Sequence, residues 1–357
     1  MISLKHQPPG SVFAAGRGQG KSRPQTGRAP QPGLPALAPR QRAGFWQNQC
    51  PQRFFHEPNA MITLAQLVQD TERQLQAAAV SYGHGTSCAR DEAAWLVLHA
   101  LQWPLETDLA GDAGAAAVPP QAQARAAALL QERIASRKPL AYLIREAWLQ
   151  GVPFYVDERA IVPRSLIAEA LAEGQIDAWL PDEPRRALDL CTGNGSLAVL
   201  AALVWPGCAV DAADLSADAL EVARINVAKH ALAGRISLLQ GDGLAACQGR
   251  PAYDLILCNP PYVNADSMAA LPPEYCVEPH MALSGNQRGG RDGMDFIRPL
   301  LQEAAARMQP QAALVLEIGH ERGHFEAAFP SLNPVWLPTS AGDDQVLLLT
   351  REALQAA

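Results

Sequence analysis

Apolar residues recur at helical spacing from Met61 onward. One helical face carries Leu64, Leu67, Val68, Thr71 and Leu75. The segment EAAWLVLHALQW predicts a second helix, capped by Asp91 and stopped by Pro104. A third helix is predicted from about 121 to 136, ending before Pro139. These helices predict a small helical domain over residues 61–140.

The pattern then changes at residues 141–164. The segment WLQGVPFYVDERAIVPR, residues 148–164, alternates around Gly151 and Pro153. This alternation predicts a short hairpin that links two domains. A weak helix is predicted over residues 165–180.

The rest of the chain alternates between short apolar runs and amphipathic stretches. Strands are predicted at residues 187–190, 208–215, 235–242, 253–258, 312–319 and 345–350. Amphipathic helices are predicted in three of the intervals between them. Alternating strands and helices indicate an α/β domain with a doubly wound, mostly parallel sheet over residues 165–357. Ligands of such sheets bind at the carboxyl ends of the strands.

Residues 1–60 differ in composition from the rest of the chain, since they contain nine prolines and seven glycines and carry a net charge of +7. So little apolar material predicts a disordered segment. It could be a targeting peptide, a nucleic-acid-binding tail, or sequence upstream of a true start at Met61. We favour the third interpretation, because Met61 opens an ordinary amphipathic helix.

Residues 61–357 carry a net charge of −14, which argues against the nucleic-acid backbone as the main partner and favours a basic one. The seven cysteines are scattered and never spaced as CxxC, so neither a disulfide framework nor a metal site is expected. We therefore expect a cytoplasmic protein. No apolar run approaches the roughly 20 residues that span a membrane.

A glycine-rich turn follows the first strand of the α/β domain. It reads DLCTGNG from Asp189 to Gly195, and Asp214 ends the next strand. Glycines let the backbone approach a ligand, and an acid at the end of the second strand can accept hydrogen bonds from ribose hydroxyls. The pattern predicts an adenosine-containing cofactor. Its spacing, Gly193 to Ala198, would also suit a nicotinamide dinucleotide, or a purely structural turn.

The sequence NPPY, residues 259–262, directly follows the fourth strand. Asn-Pro and Pro-Pro also occur in ordinary turns. However, the motif suits methyl transfer to a planar NH₂ group, whose lone pair is delocalised. The Asn259 side-chain oxygen and the Pro260 carbonyl can each accept one N–H, which favours the rehybridised nitrogen. Tyr262 can pack on the flat face of the substrate group.

With NPPY after the fourth strand, and with the glycine turn and Asp214 before it, the chain resembles the S-adenosylmethionine-dependent methyltransferases that modify planar NH₂ groups. The segments VPR (162–164), EPHMALSG (278–285) and GRDGMDFIR (290–298), with the small helical domain ahead of them, narrow the resemblance to the HemK-like protein-glutamine methyltransferases. Within that family, the chain resembles the PrmB type in SYGHGT (81–86), in residues 141–165 and in the C-terminal GDDQVLLLT (342–350). The resemblance covers about residues 61–355. It implies a seven-stranded Rossmann-like sheet and methylation of a glutamine in large-subunit ribosomal protein L-three.

The resemblance also implies roles for individual residues. Asp189, Gly193 and Gly195 would cradle the methionine and sugar portions of S-adenosylmethionine. Asp214 would hold the ribose hydroxyls, and Asp242 would lie near the adenine. No metal is implied.

In the same comparison, Asn259, Pro260 and Tyr262 would hold the substrate amide, with Asn259 also near the cofactor. One departure is Ala341-Gly-Asp-Asp344, where the type shows Gly-Gly-Asp-Gly. The partner would be the free ribosomal protein or an early assembly intermediate, with no stable nucleic acid and no membrane. Alternatives are a release-factor glutamine methyltransferase, an adenine-amino methyltransferase acting on nucleic acid, or a cofactor-binding ribosome-assembly factor whose catalysis is incidental.

Overall fold

The structure, a computed structural model, describes residues 61–356. Its helical region contains α1 (Leu64–Ala77), α2 (Ala89–Leu101), α3 (Asp112–Ala115), α4 (Pro120–Ser136) and α5 (Leu140–Ile144). A hairpin of β1 (Ala147–Leu149) and β2 (Val152–Phe154) follows. The strands of the main sheet are β3 (Arg186–Leu190), β4 (Ala209–Asp214), β5 (Ile236–Gln240), β6 (Tyr253–Cys258), β7 (Met308–Glu317), β8 (Val335–Thr339) and β9 (Gly342–Thr350).

Eight further α-helices, most of them short, accompany these strands in the described part of the chain. They are α6 (Ile167–Ala172), α7 (Ser196–Val204), α8 (Ala217–Lys229), α9 (Ala265–Ala269), α10 (His280–Leu283), α11 (Ile297–Glu303), α12 (Arg322–Ala328) and α13 (Arg351–Ala356). Three short 3₁₀ turns lie at Asp177–Trp179, Gly243–Cys247 and Ala304–Arg307.

Helix α1 forms as its sequence predicts. Thr63 accepts a hydrogen bond from the Gln66 backbone, and the Gln66 side chain accepts one from the Thr63 backbone, which closes a capping box. Four of the five residues predicted on one face are fully buried: Leu64, Val68, Thr71 and Leu75. Together with α2 and α4 they form the core of the helical region.

The predicted cap of α2 was wrong. The helix begins at Ala89 after Cys88, and Asp91 lies within its first turn. Because its carboxylate is near the free backbone N–H groups at that end, Asp91 still stabilises the helix through the helix dipole. The prediction failed because acids are common both at the cap position and in the first turn.

The main sheet has seven strands in the order β5-β4-β3-β6-β7-β9-β8. The first five are parallel, and β9 runs antiparallel to both of its neighbours. The predicted doubly wound, mostly parallel sheet is therefore confirmed. The chain order reverses between β3 and β6, and such a switch point opens a crevice at the carboxyl ends of the strands.

Both faces of the sheet are buried, as the continuous apolar strands require. In β6, for example, Leu255 and Leu257 pack towards the side of α6 and α7, while Ile256 and Cys258 pack towards the side of α11. The strand β8 was not recognised in the sequence pattern. It pairs with β9, and the departure at Ala341–Asp344 lies in this edge hairpin, away from the switch point.

The hairpin before the sheet is shorter than predicted and ends at Phe154. Beyond it, backbone groups bond to side chains of other elements rather than to a partner strand. Tyr155 N donates to Asn226 of α8 at 2.7 Å, and Val162 N donates to Glu278 at 2.9 Å. Residues 155–164 therefore form a strap across the α/β region.

The interpretation of residues 1–60 as dispensable lies outside the described residues and stays a prediction. A protein that starts at Met61 is expected to keep its melting temperature and the methyltransferase activity that the resemblance implies, because the predicted cores need nothing upstream. Differential scanning calorimetry and a methyl-transfer assay on both lengths check this. A truncated protein that aggregates or loses activity would contradict it.

Candidate active site

A cleft lies at the carboxyl ends of the parallel strands, at the switch point. It encloses about 750 Å³ of empty space, open solvent included, within the usual range for small-molecule sites. Each of the strands β3, β4, β5 and β6 contributes residues at or just after its end. One cleft thus gathers four segments that are far apart in sequence.

The two glycines of the turn after β3 have different tasks. Gly193 lines the cleft with φ +55°, and a Cβ there would meet nothing within 4 Å. It leaves open space beside the strand end, which a ligand can fill. Gly195 has φ +80°, and a Cβ there would lie 3.1 Å from the Ala223 Cβ. It therefore lets α7 and α8 approach each other and does not line the cleft.

Asp214 lines the cleft at the end of β4. Its carboxylate accepts hydrogen bonds from Gly193 N and Ser216 N, both at 2.9 Å. Burial raises its pKa, and these backbone bonds oppose that rise. Beside it, the Leu215 side chain is 48% exposed and also lines the cleft. An acceptor next to an exposed apolar surface suits a ribose that carries a flat base.

Asp189 lies beneath the glycine turn and not on the cleft wall. Its Oδ2 accepts hydrogen bonds from Thr192 Oγ1 at 2.5 Å and Ala198 N at 2.9 Å. Burial raises its pKa to about 7, and its Oδ1 is buried without a partner. Asp189 therefore positions the turn. The direct contact with the cofactor that the resemblance implied stays a prediction.

Asp242 lines the other end of the cleft, after β5. Its side chain is mostly exposed and lies 3.5 Å from the Arg288 guanidinium. Gly243 and Phe296 line the cleft near it. Phe296 provides an apolar surface in this part of the cleft, and the position of the adenine near Asp242 stays a prediction.

The structure places Asn259 in the same cleft, directly after β6. Among residues 61–356 its side-chain amide has no hydrogen-bond partner, so both of its polar atoms are free for a ligand. Pro260 is buried behind it, and Pro261 lines the cleft. The cleft therefore brings three of the predicted cofactor residues, Gly193, Asp214 and Asp242, together with Asn259, the predicted holder of the substrate amide.

Tyr262 is not part of the cleft wall. Its ring packs against Gly319, where a Cβ would lie 2.6 Å from the ring. Burial raises the pKa of its hydroxyl, which stays protonated near neutral pH. The packing of Tyr262 on the flat face of the substrate stays a prediction.

The loop after Tyr262 is held from two sides. Val263 N donates to Leu283 O at 2.9 Å, and Gly285 N donates to Val263 O at 3.1 Å. Gly293 of the GRDG segment has φ +81°, and a Cβ there would lie 2.0 Å from the Tyr262 carbonyl oxygen. Only glycine fits this position, so the segments 278–285 and 290–298 brace NPPY.

A buried charge cluster joins three of the segments on which the resemblance rests. Glu278 accepts two hydrogen bonds from the Arg164 guanidinium, both at 2.7 Å, and one from Val162 N at 2.9 Å. His84 of the helical region lies 3.4 Å from the same carboxylate and 4.2 Å from the Tyr275 ring. These contacts tie the helical region to the loop that lines the cleft.

Sequence reasoning missed several residues of the cleft wall. They are Arg159, Ile161, Leu215, Pro279, Met281, Gln287 and Phe296. The only sequence signal was their position inside or beside the segments of the resemblance.

Within residues 61–356, no group of three or more His, Cys, Asp or Glu side chains is arranged to hold a metal ion. No helix in the same range is both long and apolar enough to cross a membrane.

Comparison with known proteins identifies the family. The Methyltransferase small domain model matches residues 174–271. The ribosomal protein uL3 glutamine methyltransferase of Bordetella pertussis is 52% identical over 295 residues, which cover 82% of this chain and 96% of that protein. The chain belongs to the uL3 glutamine methyltransferase family. The enzyme of this name from Burkholderia pseudomallei is 48% identical over 306 residues, covering 84% of this chain and 98% of that one. A methyltransferase from Pyrococcus furiosus has a solved structure with 19% identity and a TM-score of 0.42, covering 62% of this chain and 97% of that chain.

Membership in the uL3 glutamine methyltransferase family makes this chain a protein-glutamine methyltransferase that uses S-adenosylmethionine. The cleft fits that cofactor. The space above Gly193 and the acceptor Asp214 next to exposed Leu215 match an adenosine with a short amino-acid tail.

Replacing Asp214 with alanine is expected to weaken cofactor binding by about 1–3 kcal/mol, because it removes acceptors for the ribose and two bonds that hold the turn. Isothermal titration calorimetry with S-adenosylhomocysteine measures this. Asp218→Ala changes an exposed acid in the first turn of α8 and is the matched control. Equal affinities of the two variants would reject the assignment of Asp214.

Proposed function

We propose that this enzyme transfers a methyl group from S-adenosylmethionine to the side-chain amide nitrogen (N5) of a glutamine in ribosomal protein uL3. The observation that carries the proposal is the placement of Asn259 in one cleft with Gly193 and Asp214. The names of the relatives support uL3 as the substrate.

When bound, S-adenosylmethionine supplies an electrophilic methyl group. Asp214 would hold the ribose and Gly193 would leave room for the tail, in the cleft that Asn259 also lines. Asn259 Oδ1 and the Pro260 carbonyl accept the two N–H groups of the glutamine amide. This orients the nitrogen and stabilises the form in which its lone pair is free to attack.

The rigid loop limits the reorganisation that this step needs. Pro260 and Pro261 fix the backbone, and Gly293 and Leu283 brace the residues that follow. The nitrogen bears a positive charge after the transfer, so its proton can leave to water. No strong base in the chain is required.

The charge of the chain supports a basic protein substrate. Residues 61–357 carry a net charge of −14, and a protein that binds ribosomal RNA is expected to be basic. The same charge disfavours a stable nucleic-acid complex. We infer that free uL3, or uL3 in an early assembly intermediate, is the form methylated, since assembly would bury the glutamine. The scattered cysteines support a cytoplasmic location.

Free uL3 is expected to be labelled in preference to a peptide-chain release factor or an assembled large subunit. The test incubates the enzyme with radiolabelled S-adenosylmethionine and each substrate separately, followed by mass spectrometry of the modified peptide. Because charge attraction is screened by salt, labelling of uL3 should slow as ionic strength rises.

The Asn259→Ala variant is the control for background labelling. Preferential labelling of the release factor would reject uL3 as the substrate but leave glutamine methylation intact. Labelling of the RNA in the assembled subunit, with no label on any protein, would reject both uL3 as the substrate and glutamine methylation as the reaction.

A further inference from the structure

Arg159 is the one cationic side chain among the described residues that line the cleft. The other ionisable groups on the cleft wall are the carboxyl groups of Asp214 and Asp242 and the thiol of Cys191. The Arg159 side chain is 39% exposed, so it is accessible from the cleft without being fully solvated. Among the described side chains of the cleft wall, Arg159 is therefore the one that can attract an anionic group of a ligand.

The guanidinium of Arg159 is held in place before any ligand binds. Its Nε donates to Asp157 Oδ1 at 2.9 Å and its Nη2 donates to Asp157 Oδ2 at 2.7 Å. Tyr155 also donates its hydroxyl to Asp157 Oδ2, at 2.7 Å. Hydrogen bonds from Arg159 and Tyr155 lower the pKa of Asp157 to about 2 against the effect of burial, so the anchor stays ionised. Within residues 61–356, Nη1 has no hydrogen-bond partner and keeps two free donors.

The strap that carries Arg159 is fastened to the glycine turn. Tyr155 N donates to Asn226 Oδ1 at 2.7 Å, and Asn226 Nδ2 donates to Asn194 O at 2.8 Å. Ala160 packs against Ala219 and Val222 of α8. These contacts fasten the strap to α8 and, through Asn226, to the turn that contains Gly193, and Arg159 and Gly193 line the same cleft.

We infer that Arg159 binds the α-carboxylate of the methionine portion of S-adenosylmethionine, with Asp157 as its positioning residue. The inference rests on the proposed placement of the cofactor, with its ribose at Asp214 and its tail over Gly193. The tail carries a carboxylate, which Asp214 and Asp242 would repel. A guanidinium with free N–H donors pairs with a carboxylate through charge-assisted hydrogen bonds.

The assignment predicts selectivity for the carboxylate itself. The probes are S-adenosylhomocysteine and its decarboxylated analogue, 5′-deoxy-5′-(3-aminopropylthio)adenosine, which lacks that group alone. Calorimetry is expected to show that Arg159→Gln lowers the affinity for S-adenosylhomocysteine by about 10- to 100-fold. The affinity for the decarboxylated analogue is expected to change by less than about threefold.

Two further variants complete the experiment. Arg224→Gln removes an exposed charge on α8 and should bind both probes like the original enzyme. Arg159→Lys keeps the charge and should recover part of the affinity for S-adenosylhomocysteine. It also keeps the test decisive if Arg159→Gln does not fold.

The inference would be overturned if Arg159→Gln lost the same amount of affinity for both probes, or lost affinity for neither. A raised KM for uL3 with unchanged probe binding would also overturn it and would assign Arg159 to the protein substrate. If the original enzyme bound neither probe, the proposed function itself would fail, and this outcome is distinct from the others.

Discussion

Replacing Asn259 with alanine is expected to lower turnover by about a hundredfold or more, with nearly unchanged affinity for S-adenosylhomocysteine. The substitution removes the acceptor that orients the glutamine amide. Because this contact strengthens as the nitrogen rehybridises, its loss is felt mainly in the transition state, as with a lost oxyanion-hole donor. Single-turnover kinetics with uL3 and calorimetry with S-adenosylhomocysteine together separate the two effects.

A second Asn-Pro dipeptide in the chain provides the control. Asn333 is exposed and lies just before the edge strand β8, outside the cleft wall. Asn333→Ala should leave turnover unchanged. Near-normal turnover of Asn259→Ala would show that NPPY does not hold the reacting amide.

Glu278→Gln is expected to reduce the free energy of unfolding by about 3–5 kcal/mol, because it removes the charge that compensates a buried arginine. Its carboxylate is fully buried and bonds to Arg164 and Val162 N. The neutral amide cannot neutralise Arg164, and its NH₂ group would face donors. Urea unfolding of both proteins measures the difference, with Glu221→Gln in an exposed pair as the control, expected to change by less than about 1 kcal/mol.

The difference between Glu278→Gln and the original protein should depend on pH. Burial by itself would raise the pKa of Glu278. The adjacent Arg164 outweighs this effect and holds the pKa of Glu278 well below the usual range. The unfolded chain therefore takes up a proton near pH 4.3 while the folded protein does not. The contribution of Glu278 is complete above that pH and declines as pH falls further. A difference that grew in acid would contradict the ion-pair account.

The sequence by itself determined the fold class and the main chemistry. Alternating apolar strands and amphipathic helices are sufficient for a parallel sheet, because burial of both strand faces demands long apolar runs. The positions of Asp214 and Asn259 followed from the same reasoning. A residue that directly follows a parallel strand must lie at the carboxyl edge, whatever the rest of the chain does.

The sequence pattern predicted the structure less well where several local conformations are similarly favourable. The strand β8 is short and lies at the sheet edge, so its apolar pattern is brief. Asp91 shows the limit at helix starts, since a carboxylate is favourable at the cap and throughout the first turn. In both cases tertiary contacts chose between options of similar local energy.

The tertiary structure alone decided which of the motif residues reach the cleft. Asp189 and Gly195 belong to the glycine turn, yet one lies beneath it and the other packs against Ala223. His84, Arg164 and Glu278 lie far apart in sequence and meet in one buried cluster. Such contacts depend on how the strap and the helical region pack on the sheet. The periodicity of side chains along one segment does not indicate which residues of a distant segment will contact it.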